Sequence, residues 1–150
     1  MRRAFLLAGI AAGAVALFTT VSVTVSARQA SQIQTFKTKL ADLTFCRTGY
    51  DIASSRPHYI ARFTEDAQEK ADLIELSDVL LERKEQLDQL ISDHLKEAKD
   101  LPLDAYERSL LVEKTTWEAE LDAVHTAGWV QEPEAFLDHL LERCEPYINE

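Results

Sequence analysis

Apolar side chains recur at intervals of three and four residues through most of the chain beyond position 28, and no stretch alternates apolar and polar in steps of two. That period belongs to amphipathic helices, not strands. Ile33, Phe36, Leu40 and Leu43 mark the first helix, expected from Gln29 to about Ser54. Pro57 is its expected end, because proline disfavours helical geometry in the residue before it. The segment SSRPHYIARF then reads as a linker, and Thr64 as the N-cap of a second helix whose Glu65 and Asp66 suit the positive end of the helix dipole. From there to about Lys99, Leu73, Leu76, Leu80, Leu87, Leu90 and His94 step round the helix in near-heptad fashion, and Ile74, Leu81, Ile91 and Leu95 widen the stripe. Arg83 and Lys84 stand where a strict coiled-coil seam needs an apolar residue, so the stripe suits bundle packing.

After KDLPLD a third helix carries Tyr106, Leu110, Trp117, Leu121 and Val124 as its expected core face, with Gly128 as its stop. Pro133 opens a fourth, striped by Phe136, Leu137, Leu140, Leu141, Cys144 and Ile148. Four amphipathic helices with short connections predict an all-α fold, an antiparallel four-helix bundle-like domain over residues 28–150.

The N-terminal segment has a different character. Residues 4–27 carry no charge, and Arg2 and Arg3 precede them. With Val25-Ser26-Ala27 as a small-x-small site, residues 1–27 read as a cleaved secretory signal peptide. The uncharged run also reads as a single membrane anchor, because a transmembrane helix needs about 20 apolar residues and residues 4–27 could supply that membrane contact. Both readings keep the N-terminus in the cytoplasm by the positive-inside tendency. Both put residues 28–150 in a periplasm, soluble or tethered to the inner membrane.

That compartment bears on the two cysteines, Cys46 and Cys144. Exported domains favour disulfides, and two cysteines allow one pairing. A metal site lacks companions: there is no Cys-x-x-Cys, and His58, His94, His125 and His139 are scattered. Cys144 sits at the centre of the fourth helix's stripe and Cys46 at the edge of the first's, so a Cys46–Cys144 disulfide would join the inner faces of the first and last helices.

Charge is unevenly distributed. Residues 28–63 hold six basic residues against two acids, a net of +4, whereas residues 64–150 hold eight against 24, a net of −16; Arg2 and Arg3 complete the total of −10. A cationic first helix packed beside anionic neighbours accounts for this, and so does a bipolar surface whose acidic side steers a basic protein partner. Nucleic acid is disfavoured by the acidity and by the compartment.

Sites for chemistry are sparse. Asp122 and His125 share a helical face without the paired Glu-x-x-His of di-iron bundles, and there is no phosphate loop, nucleophile elbow or haem motif. No catalytic residue, metal or cofactor is therefore assigned. The segment RPHYIARF mixes cations and aromatics as recognition sites do. Arg56, His58, Tyr59 and Arg62, with Trp129 beyond Gly128, are accordingly the candidate interaction residues. The plainer alternative has Tyr59, Ile60 and Phe63 covering the end of the core. Trp117 is expected in the core. The resulting functional expectation is a non-catalytic helical interaction module of the cell envelope, an adaptor, assembly factor or accessory subunit with a protein partner. The alternatives are an acidic immunity-type inhibitor of a basic toxin or hydrolase, and a bundle that binds a small ligand.

Overall fold

A computed structural model describes the backbone of residues 2–129 and 133–149, and the side chains of residues 26–128 and 134–149. The chain is all-helical, with four helices: α1 (Arg2–Ala61), α2 (Ala67–Glu97), α3 (Ala105–Trp129) and α4 (Pro133–Ile148). A 3-10 turn, Ala98–Asp100, follows α2. Among the described residues there is no strand. The chain divides into two compact units, Met1–Thr35 and Phe36–Glu150. The first lies within α1. The signal-peptide or anchor reading falls mainly on residues 1–25, outside the described side chains. Among the described residues no helix is long and apolar enough to cross a membrane.

In the second unit the helices form a bundle with α1 at its centre. Leu43, Thr44, Phe45 and Cys46 are all buried, and four successive helical residues point in every direction around the axis. The other helices close on these sides. Along α2, Ser77 donates to the Ser54 carbonyl at 3.0 Å, Asp88 meets Arg47 at 3.1 Å, and His94 Nε2 lies 3.0 Å from the Phe36 carbonyl. These three contacts climb α2 as they descend α1. Along α4, Leu140 packs on Gly49, Cys144 meets Cys46, and Tyr147 donates to Asp42 at 2.9 Å. From α3, Glu118 and Glu120 reach Lys37 and Arg47.

Cys46 and Cys144 are joined as a disulfide, with Cα atoms 5.6 Å apart and both residues fully buried. The bridge closes a loop of 98 residues. In the chain-entropy account such a loop is worth about 4 to 5 kcal/mol. The described residues include no free cysteine.

Three element boundaries differ from the sequence expectation. Pro57 does not end α1, which runs on to Ala61. Proline removes one helical donor, the one that would serve the carbonyl four residues earlier, that of Ala53. The next carbonyl, Ser54 O, accepts the Ser77 hydroxyl at 3.0 Å and ties this turn to α2. Pro57 and Ala61 are both buried, so the continued helix is held by packing. The N-cap of α2 is Asp66, not Thr64: the Asp66 carboxylate accepts from Gln68 N and Glu69 N at 2.9 and 2.8 Å, while Thr64 turns back to the Ile60 carbonyl. A carboxylate at this position also complements the helix dipole. Finally, α3 passes through Gly128 to Trp129. α3 itself begins with a capping box, in which Asp104 accepts from Glu107 N and Glu107 from Asp104 N.

Gly49 allows the closest approach of α1 to α4. A Cβ there would overlap Leu140 Cδ2, and Leu140 is fully buried three to four residues from the disulfide, with no room to retreat. Gly49→Ala should therefore destabilise the fold by about 1–2 kcal/mol, the overpacking cost exceeding the gain in helix propensity. Thermal unfolding checks this: a Tm at or above that of the parent would show that α4 can shift.

Candidate interaction surfaces

Of the residues in RPHYIARF, Arg56, His58 and Tyr59 are held on the last turns of α1 instead of in a linker, and Arg62 and Phe63 lie in the turn that follows it. Tyr59 and Phe63 are 61% and 70% exposed, their ring centroids 5.1 Å apart. They do not cover the end of the core, because the added helical turns carry both rings past it. Arg56, His58 and Arg62 are exposed beside them, and among the described residues none of the three enters an ion pair. Trp129 closes α3, and its side chain lies outside the described residues. Next to this patch is an apolar groove of about 610 Å³, lined by Ala53, Pro57, Ile60, Leu73, Leu76 and Leu137 among others, with Arg56 at its edge.

Two cations nearer the middle of α1, Lys37 and Arg47, are engaged. Arg47 bridges Asp88 and Glu120, and Lys84 joins Asp88 at 2.8 Å. Burial pushes the Asp88 carboxyl up, but hydrogen bonds from Lys84 and Arg47, with their charges, outweigh it and hold the group below the usual carboxylate range. Arg143 is a second clamp, beside the disulfide. It donates to Asp42 at 3.0 Å and to Asp122 at 3.5 Å, and its guanidinium lies 3.8 Å over the Phe45 ring. Asp122 is thus committed to Arg143, not paired with His125. Among the described residues no three His, Cys, Asp or Glu side chains converge to hold a metal.

Among the buried polar side chains are His94 and Tyr50. His94 stacks on Phe36 at 4.5 Å and points its two ring nitrogens at the Phe36 carbonyl and the Glu97 carboxylate. Both partners are acceptors, so one ring N–H satisfies one of them and the imidazolium satisfies both. Tyr50 is fully buried without a hydrogen-bond partner for its hydroxyl among the described residues. Burial pushes its phenol up; Arg83 opposes this and Glu145 adds to it.

The largest departure from the sequence reading is on α3. Tyr106, Leu110, Trp117, Leu121 and Val124, expected in the core, are exposed by 37–71%. The buried face is instead Thr115, Ala119 and Ala123. Small residues let α3 approach the crowded middle of α1, where the bulky stripe would not fit. On α2, Ile74, Leu76 and Leu81 are likewise exposed, while Ser77, Leu80, Leu87 and His94 face inward.

No family model matches the chain, and no curated protein or solved structure is similar to it. The surfaces therefore have to be read on their own chemistry.

The Asp88 cluster carries a pH dependence of defined sign. A carboxyl whose folded pKa is depressed contributes stability that is complete above its unfolded value, about 3.9, and is lost as pH falls through the lower folded value. Asp88→Asn should remove this part of the acid sensitivity below about pH 4 while leaving the curve above it parallel to the parent. Urea unfolding across pH 2–6 reads it out, roughly, since the cluster is partly exposed and screened; equal acid slopes in the two proteins would mean that Asp88 is not held by Arg47 and Lys84.

Proposed function

We propose that the protein is a non-catalytic interaction module of the cell envelope, an adaptor or accessory subunit that recognises a protein partner through the C-terminal turns of α1. The frame is an antiparallel four-helix bundle, placed in the periplasm by a signal peptide or a single anchor within residues 1–27. The observation that carries this reading is the exposed pair Tyr59 and Phe63, with ring centroids 5.1 Å apart, flanked by Arg56, Arg62 and His58, none of which enters an ion pair among the described residues. Exposed aromatics beside arginine have the composition of interface hot spots. The adjoining groove offers an apolar seat for a side chain of the partner.

A second observation favours the inhibitor reading. Glu75, Asp78, Glu82 and Glu85 lie on the outward face of α2, all exposed, and no cation pairs with them among the described residues. Such a ridge would attract a basic toxin or hydrolase, and its binding would weaken steeply with salt.

A photo-reactive residue in place of Phe63 should crosslink one envelope protein in intact cells, and the Tyr59→Ala, Phe63→Ala pair should lower recovery of that protein at least about tenfold with Tm unchanged. Unchanged recovery from the double variant would remove the α1 patch from the account. Loss only on reversing the charges at Glu75 and Glu82 would favour the inhibitor reading instead.

A further inference from the structure

The outward stripe of α3 belongs to neither surface above. Taking about 100° per residue, Tyr106, Leu110, Leu121 and Val124 all lie within about 40° of the direction of Trp117. The stripe runs about 27 Å along the helix at 1.5 Å per residue. It faces away from Thr115, Ala119 and Ala123, so no rearrangement within the bundle covers it without uncovering the buried face.

We infer that a second copy of this chain covers it, through an antiparallel α3–α3 pair on a two-fold axis at Trp117. Along the midline of the stripe, such an axis brings each position before Trp117 to the height of the position equally far beyond it. Leu110 then meets Val124 of the second copy, and Tyr106 meets Gly128, where nothing lies within 4 Å of a built Cβ and the ring has room. In this symmetry each flank of the stripe faces the same flank of the other copy. On one side that sets Lys114 beside Glu118, opposite charges within about 3 Å of the same height at 1.5 Å per residue. On the other, Glu113 faces Glu120, and the Arg47 guanidinium 3.6 Å from Glu120 offsets part of that repulsion.

The flanks are also largely neutralised within each chain. Glu118 lies between Lys37 and Lys114, at 3.9 and 3.7 Å, and Glu120 beside Arg47. A cationic foreign helix would find few free carboxylates here, in contrast to the α2 ridge. A second copy brings an apolar stripe and flanking carboxylates, Glu118 and Glu120, already neutralised within its own chain, which is what this face complements. The five side chains present on the order of 500 Å² per copy, against about 800 Å² per partner in a standard interface, so the pair belongs with small, transient interfaces.

The test uses the full chain, purified from the envelope in mild detergent, and cysteine pairing in intact cells. Sedimentation should show a dimer at tens of micromolar and a monomer for Trp117→Glu, with helicity and Tm kept because Trp117 is exposed. Mixed Leu110→Cys and Val124→Cys chains should form a disulfide between unlike copies, and Glu113→Gln should tighten the dimer several-fold. A parent that stays monomeric at about 100 µM, a dimer that survives Trp117→Glu, or a bond between two Leu110→Cys copies in place of the mixed bond would overturn the pairing. None of these outcomes touches the Tyr59–Phe63 reading, which rests on another face.

Discussion

The disulfide between Cys46 and Cys144 is the constraint on which the other features of the bundle depend. It ties the helix enclosed by all the others to the last helix of the chain, and it does so at a fully buried level of the core. At that level Leu140 rests on Gly49, Arg143 spans Asp42 and Asp122, and the same guanidinium lies over Phe45. A domain of this size has a net stability of about 5–15 kcal/mol, and the bridge supplies a sizeable part of it. Its contribution acts mainly on the unfolded chain, so it needs no large core to be effective.

Charge and packing are linked in the same way. Lys37 and Arg47 point from the central helix into the acidic helices around it, and this internal neutralisation uses up carboxylates of α2 and α3 that would otherwise repel one another. The surface is left with three distinct regions: a cationic, aromatic end on α1, an acidic ridge on α2, and an apolar stripe on α3.

Much of the fold was legible in the residues. Helix period, the sparse glycines and prolines, and the isolated pair of cysteines were sufficient for four helices and for the bridge between α1 and α4. Periodicity shows that a helix has an apolar face, but not that this face is the one turned inward. On α3 the interior wanted close approach, and Thr115, Ala119 and Ala123 carry almost no hydrophobic signal, so the bulky stripe was mistaken for core. Pro57 misled for a related reason, since a local rule about proline was outweighed by burial of Pro57 and Ala61 and by the Ser77 hydroxyl that ties the Ser54 carbonyl of the same turn to α2. The clamp made by Arg143 left no trace in sequence spacing, because its partners lie 101 and 21 residues away.

The central claim is that one covalent bridge joins α1 to α4 in the native protein. Protein isolated without reductant, denatured in the presence of an alkylating reagent and weighed by mass spectrometry should carry no label, and should take up two labels only after reduction. Two labels on the unreduced protein would contradict the bridge, and with it the enclosed position of α1 from which the rest has been argued.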